Sequence, residues 1–320
     1  MEKRAEMTNE QIIYLVLAIV GFAILLIVYL YFGWESLTDK EICHKSIVER
    51  SSFNLGPLEV AKAVIPLNCK TEKICLKKGT KDCKEVVKGT EIDISGKTAA
   101  EKNEKVLDAL SDALYDCHTM LGEGKLDFMP HEGGAKRSCL ICAMIFLNDD
   151  AKADSEIKKD VSFLELYQNM QRKQTPEGKS YLEVVYNAKS LAQIVPVLDQ
   201  AKEAYNNNPN KPPATPIINN IREIKMNLMY DRGNVVLAAM TPYDTNRATL
   251  TGVLVGAAVV VATLTTGVGG IVIATIAGAG AGGYMYATNY PSGQFSYFAP
   301  TILPYEPTVL ENCNSFETSK

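Results

Sequence analysis

Charged residues are absent from two long stretches of this 320-residue chain, residues 11–34 and 248–305. The first stretch contains an apolar run, residues 12–32, that would form a helix about 31 Å long, close to the thickness of a bilayer's hydrocarbon core. Aromatic residues crowd its C-terminal end, where amphipathic rings favour the headgroup region. We therefore predict an uncleaved transmembrane anchor at residues 12–33. A signal peptide is the alternative, although its apolar region is usually only about 7 to 15 residues long.

The charges that flank the predicted anchor leave its orientation open. Two basic residues precede it and three follow it: Lys3, Arg4, Lys40, Lys45 and Arg50. The positive-inside rule therefore favours neither side. The cysteine pattern is therefore the remaining indication of the side of the membrane on which the following domain lies.

Seven of the eight cysteines lie within one hundred residues after the anchor, and the eighth follows much later: Cys43, Cys69, Cys75, Cys83, Cys117, Cys139, Cys142 and Cys313. A zinc site would need repeated, closely spaced ligand pairs, and only Cys139 and Cys142 have that spacing. A dense, even set of cysteines in an exported domain is typical of a disulfide framework, with unpaired thiols as a further alternative. We predict disulfides, no metal site, a cytoplasmic N-terminus and an extracytoplasmic ectodomain at the cell membrane.

The Cys139-Leu-Ile-Cys142 pair is also the one candidate for covalent chemistry. A thiol oxidoreductase places such a pair at the start of a helix, whereas this pair lies in a strand-like apolar run. Residues three apart on a strand point to opposite faces, so the two sulfurs would not readily pair with each other. We expect each to bridge to a different neighbour, for instance Cys117 on the preceding helix.

Between the two uncharged stretches, helices and strands do not alternate regularly, which favours an α+β fold over a wound α/β sheet. The clearest helix is 97–121, which has apolar residues at three- and four-residue spacing, a Thr98/Glu101 capping signal and Gly122 at its end. Shorter helices are predicted at 161–174, 180–188 and 190–205. Predicted strands are 61–67, 74–77, 85–87 and 138–147, with a β-hairpin formed by 221–230 and 234–240.

The second uncharged stretch is rich in glycine and alanine, and small residues recur at every fourth position. The positions that would form a packing stripe are Ala248, Gly252, Gly256, Gly270, Ala274, Gly278 and Gly282. On a helix such a stripe allows close backbone approach, which promotes helix association in a membrane. We favour a transmembrane helical hairpin at 248–287. A buried or stored apolar segment is one alternative, and a β-hairpin with strands 253–264 and 271–276 is another, since β-branched residues are dense there.

The resulting organisation has seven segments. A tail (1–11) and the anchor (12–33) precede a cysteine-rich α+β ectodomain (36–205), a Pro/Asn-rich linker (206–216), a β-hairpin segment of the ectodomain (217–247), the Gly-rich membrane hairpin (248–287) and an aromatic, proline-rich tail (288–320). The tail's composition suits an interfacial segment or a docked extended arm.

The composition excludes several classes of function. The net charge of −4 argues against a nucleic-acid binder. No phosphate-binding loop, dinucleotide fingerprint, zinc-protease motif or nucleophile elbow occurs, so we predict no catalytic residue and no cofactor. The partners predicted are the lipid bilayer and, through the Gly-rich hairpin, a second copy or other membrane proteins.

Two functions from different classes remain. The protein is predicted to be a non-enzymatic structural or interaction component of a membrane assembly. The alternative is a pore-forming or fusion-type protein that inserts residues 248–287, and a membrane-tethered thiol oxidoreductase is a distant third. Because seven cysteines cannot all pair among themselves, Cys313 is predicted to form a disulfide with one of them.

Overall fold

The computed structural model describes residues 9–32, 38–52, 66–86, 88–128, 138–206, 219–242, 258–264, 271–278, 281–289, 295–305 and 315–317. The first of these ranges is the helix α1 (Asn9–Phe32), on which side chains are described from residue 13 to residue 24. Nowhere in the described part of the chain is there a helix with both the length and the apolar character needed to cross a membrane. The anchor at 12–33 therefore stays a prediction.

Six further α-helices are described, each bounded as follows: α2 (Asp39–Ser51), α3 (Ala99–Met120), α4 (Asp149–Ala153), α5 (Phe163–Arg172), α6 (Tyr181–Tyr186) and α7 (Leu191–Asn206). Helix α3 starts where the sequence predicts, because the Thr98 hydroxyl accepts the Glu101 N–H at 3.2 Å. It ends at Met120, and Gly122 follows the C-cap with a φ of +69°, which a side chain would disfavour. The three shorter helices predicted after it are also present, and α7 contains Pro196.

The strands form one mixed nine-stranded sheet and a small two-stranded sheet. Their bounds are β1 (Glu72–Lys77), β2 (Thr90–Asp93), β3 (Ser138–Leu147), β4 (Asp160–Ser162), β5 (Lys225–Asn227), β6 (Asn234–Pro242), β7 (Ala258–Leu264), β8 (Ile271–Gly278), β9 (Ala281–Asn289), β10 (Phe295–Pro304) and β11 (Ser315–Glu317). The large sheet has the order β2-β1-β3-β6-β10-β9-β8-β7, and β11 pairs with β3. Strand β4 pairs with β5 in the small sheet.

The core lies between α3 and the middle of the large sheet. The buried face of α3 includes Val106, Leu110 and Leu114, as its apolar spacing predicts. Strand β3 is buried along almost its whole length. Its pairing with β6 is interrupted by a bulge between Ile141 and Ala143. Because the extra residue resets the alternation of side chains, Ala143 faces the same core as Cys142.

Three of the predicted strands differ from the structure in the described residues. The predicted hairpin has only its second strand, β6, because Lys225–Asn227 pairs with β4 and not with β6. Residues 85–86 form a turn after Cys83, and residues 66–67 have no strand conformation. The rest of the predicted strand 61–67 lies outside the described residues, as does most of the linker 206–216.

The C-terminal third differs from the helical expectation. The described parts of 248–287 form strands β7, β8 and β9, which pair antiparallel in succession. The helical hairpin is thus corrected to a β-structure close to the alternative with strands 253–264 and 271–276. Strands β10 and β11, which belong to the predicted tail 288–320, join the same sheet. Valine, isoleucine and threonine favour the extended backbone, which explains the difference.

Asn148 holds the loop after β1 in place. Its Oδ1 accepts the N–H groups of Lys78 and Ala151 at 3.1 and 2.9 Å, and its Nδ2 donates to the carbonyl oxygens of Lys78 and Lys81 at 3.1 and 2.6 Å. All four hydrogen-bonding positions of the amide are used, and the side chain is buried. The bonds fix the segment that leads to Cys83.

We expect Asn148→Ala to lower the free energy of unfolding by about 2 to 3 kcal/mol, because it removes a helix cap and leaves buried backbone groups unpaired. Asn148→Asp is the matched control: it keeps the two accepted bonds, loses the two donated ones and should cost less. Equilibrium denaturation followed by circular dichroism measures both. Equal midpoints for the parent and the alanine variant would contradict this role.

Candidate functional site

The disulfides are the part of the predicted site that the structure describes best. Three bridges are present, Cys43–Cys69, Cys75–Cys83 and Cys117–Cys142. They join α2 to the segment before β1, β1 to the following loop, and α3 to β3. Cys139 is also disulfide-bonded, and Cys313 lies outside the described residues. No described cysteine is a free thiol.

The Cys139-Leu-Ile-Cys142 pair is not a redox pair with itself. Cys142 bonds to Cys117 on α3, the neighbour suggested by the sequence. Both residues of the pair are buried in β3. A thiol oxidoreductase alternates between a dithiol and a disulfide within the motif, so this connectivity does not favour that alternative.

The small-residue stripe lies partly outside the described residues, which omit Ala248, Gly252, Gly256 and Gly270. Of the others, Ala274 and Gly278 are on β8 and Gly282 is on β9. Gly278 lies opposite Ala281, and Gly282 lies opposite Ala277. Ala274 lies opposite Met285. These three positions therefore lie on paired strands, and a role in helix packing does not apply to them.

No group of three or more histidine, cysteine, aspartate or glutamate side chains that could hold a metal ion occurs among the described residues. His44 lies close to α3, with its Nδ1 3.0 Å from the carbonyl oxygen of Met120. His131 lies outside the described residues. His118 is buried in the core, and it is the histidine that faces a cleft.

This first cleft, of about 560 Å³, lies beside α3 and α6. We call it the His118 cleft; its charged lining residues are Glu123, Lys125, Glu177, Lys179 and Glu183. The Thr175 hydroxyl also lines it and is buried without a hydrogen-bond partner among the described residues. Three carboxylates and two ammonium groups give the lining a mixed character, which does not select one charge of ligand.

His118 is held in the neutral state by its surroundings. Burial lowers the pKa of His118 to about 4, and the Glu123 carboxylate and a hydrogen bond to the backbone of Val184 only partly offset this effect. Its Nδ1 lies 3.2 Å from the Tyr297 hydroxyl. A histidine that is buried, neutral and in contact with a core tyrosine serves packing better than proton transfer.

The turn after α3 has a strained backbone for a related structural reason. Glu123 has a φ of +56° and lies between Gly122 and Gly124, both also at positive φ. A Cβ on Gly124 would stand 2.2 Å from the Tyr297 ring. Gly124 therefore lets Tyr297 approach closely enough to contact His118. The positive φ of Glu123 belongs to the turn that makes this contact possible.

A second cleft, of about 790 Å³, lies between β4, β5 and the start of α5. We call it the basic cleft, because four cationic residues and two carboxylates line it: Lys158, Lys159, Arg222, Lys225, Asp160 and Glu165. The sequence analysis missed it, since its two segments lie some 60 residues apart. The signal available was the basic character of each short segment, but only the pairing of β4 with β5 brings them together.

The low pKa of His118 predicts a loss of stability in mild acid. The pKa of this histidine is 6.5 in the unfolded chain and about 4 in the folded protein, so the folded protein binds the proton only at lower pH. Stability is therefore complete above pH 6.5 and falls as the pH drops towards 4, by about 2.5 kcal/mol at pH 4.5.

The measurement is the free energy of unfolding of the full chain and of His118→Gln between pH 7 and pH 4.5. Glutamine does not titrate, so its loss of stability over this range should be smaller by about 2.5 kcal/mol. Comparing the change with pH, instead of the absolute stability, corrects for any general weakening by the substitution. The same change in both proteins would mean that His118 does not cause it.

Comparison with known proteins gives no relative for this chain. No protein-family model matches it, and no curated protein or solved structure matches it significantly. Its function therefore has to be inferred from its own residues.

Proposed function

We propose that this protein is a membrane-anchored, disulfide-braced ectodomain that acts as a non-enzymatic interaction component of a membrane assembly. Two features support the proposal. The apolar side chains of α1 are exposed, and the domain that follows is cross-linked by disulfides.

The observation that carries the proposal is the exposure of α1. Its large apolar side chains from Ile13 to Ile24 are between 48% and 72% exposed, and they lie on all sides of the helix. The sequence continues without a charge to Trp34. A helix that is apolar on all sides and has no protein cover needs an apolar environment. A bilayer supplies it over the length of this helix.

The disulfides support an ectodomain on the oxidising side of that membrane. Three bridges in one domain are rare in the cytosol, where thiols are kept reduced. The first, Cys43–Cys69, begins only eleven residues after α1 ends at Phe32. This short distance supports an oxidising compartment that starts close to the end of the anchor, and we therefore propose that the short N-terminal tail is cytoplasmic.

The pore or fusion alternative is favoured by one observation, the complete absence of charge from β7, β8 and β9. Against it, β9 pairs with β10 and β10 pairs with the central strand β6, so insertion would disrupt the ectodomain sheet. Release of an encapsulated dye from liposomes by the intact protein would support this alternative over the anchor function.

The anchor is tested by alkaline carbonate extraction of membranes that contain the full chain. We expect the protein to stay in the membrane pellet and Phe22→Arg to shift it towards the soluble fraction, because a charge at the centre of a spanning helix costs about 2.5 to 3.5 kcal/mol. Val48→Arg is the matched control, since Val48 is an exposed apolar residue on α2. Complete extraction of the parent protein would contradict the proposal.

We further propose that Cys313 pairs with Cys139. Six cysteines pair among themselves, Cys139 is disulfide-bonded, and the chain has eight cysteines, so one partner remains. Strand β11 supports this pairing, because Ser315 lies opposite Ser138 in a parallel register. The bridge would close a very long loop, worth about 5 kcal/mol in the chain-entropy treatment of disulfides.

The pairing is tested by proteolysis of the intact protein without reduction, followed by mass spectrometry of linked peptides. We expect one linked peptide that contains Cys139 and Cys313, and no free Cys313. The Cys313→Ser variant should leave Cys139 open to alkylation only after denaturation, since Cys139 is buried. A free Cys313 thiol in the parent protein would contradict the proposal.

A further inference from the structure

We propose that the basic cleft is a binding site for an oxyanion of the phosphate class, either as a soluble phosphate compound or as the headgroup of an anionic lipid. The cleft lies in the ectodomain, and a site there does not depend on α1 crossing a membrane. Three features support the site: the charges of the cleft, the pairing of those charges, and the polar groups at its base.

The charge of the cleft is positive and incompletely paired. Arg222 and Lys225 are exposed, and neither forms an ion pair with any residue in the described ranges. Lys158 Nζ binds Glu165 Oε1 at 2.7 Å. Asp160 is the second carboxylate of the cleft, so the lining carries a net charge of +2. An anion that enters meets two cations with no carboxylate to displace.

Lys159 makes the interior of the cleft electrostatically favourable for an anion. Its Nζ donates to the carbonyl oxygens of Ala151 and Asp154, both at 2.6 Å, and so is held by neutral oxygens. Burial is the main cause of its lowered pKa. The Asp154 carboxylate offsets the effect of burial only in part, because the pKa remains lowered. A partly buried ammonium group in this position gains from a nearby anion.

The base of the cleft adds neutral donors and a helix terminus. Ser162 lines the cleft and is 5% exposed. Its Oγ accepts the Leu164 N–H at 3.2 Å, which leaves the hydroxyl hydrogen available for a ligand oxygen. Helix α5 begins at the next residue, and its dipole favours negative charge there. The first amide, of Phe163, already donates to the carbonyl oxygen of Ile224. Helix α5 therefore favours an anion mainly through its dipole, and less through unpaired N–H groups at its N-terminus.

These features favour a phosphate-class group over a simple chloride-like ion. A guanidinium group can bind two oxygens of one phosphate at once, and ammonium groups add charge from other directions. The cleft supplies one guanidinium, three ammonium groups and a buried hydroxyl. Its volume of about 790 Å³ leaves room for more than a bare ion. The remainder of a larger ligand would then lie over the β4–β5 sheet.

The test is calorimetric titration of the full chain in a non-ionic detergent at constant ionic strength. One arm uses inorganic phosphate, and the other uses micelles that contain a short-chain phosphatidic acid. Binding in the first arm shows that a soluble phosphate is sufficient, and binding only in the second arm assigns the site to a lipid headgroup. Absence of binding in both arms overturns the proposal.

The variants are chosen so that folding stays intact and charge is the quantity that changes. We expect Arg222→Gln and Lys225→Gln each to weaken binding about fivefold to tenfold, because one exposed charge contact is lost. Glu165→Gln should strengthen binding about threefold, since it removes a repulsive carboxylate and releases Lys158. Lys189→Gln is the control, because it removes the same charge from an exposed position outside the cleft.

Unfolding midpoints of the four variants should equal that of the parent, which separates loss of the site from loss of the fold. Equal weakening by Lys189→Gln would mean that the protein attracts phosphate through its overall charge, and the proposal would then be wrong. Unchanged binding in Arg222→Gln and Lys225→Gln would lead to the same conclusion.

Discussion

The burial of strand β3 is the constraint on which the ectodomain depends. Nearly every residue from Ser138 to Leu147 is shielded from water, so each backbone polar group needs a partner and both faces need cover. Strand β6 pairs along one edge, and β1 and β11 divide the other edge between them. Helix α3 covers one face. On the other face, the loop closed by Cys75–Cys83 packs on Phe146 at the C-terminal end of the strand.

Elements whose signal is local could be predicted from the sequence. Strand β3 is a ten-residue apolar run, and its predicted bounds are those of the structure. Helix α3 combines a regular apolar spacing with a cap at Thr98 and a glycine stop. The predicted hairpin failed because strand pairing is not local: Lys225–Asn227 is short and polar, and its partner β4 lies far earlier in the chain.

The Gly-rich stretch shows why spacing alone could not distinguish helix from strand. Residues four apart lie on one face of a helix, but they also lie on one face of a strand, whose side chains alternate with a period of two. Ala274 and Gly278 satisfy both patterns and are found on β8.

The basic cleft could not be predicted from the sequence, for a different reason. It needs the β4–β5 pairing, so neither Arg222 nor Lys159 could be assigned to a site from its own neighbourhood in the sequence.

The disulfides stabilise the sheet unevenly. The three described bridges span 26, 8 and 25 residues, and all connect elements up to β3. Strands β7, β8 and β9 have no described cross-link and are held by pairing with one another and with β10. Local opening in proteins begins where the constraints are weakest. We therefore expect the part of the sheet that is richest in apolar and small residues to open at the lowest free energy. A disulfide between Cys139 and Cys313 would fix β11 against β3. Local opening would then be limited to the end of the sheet that β7, β8 and β9 form.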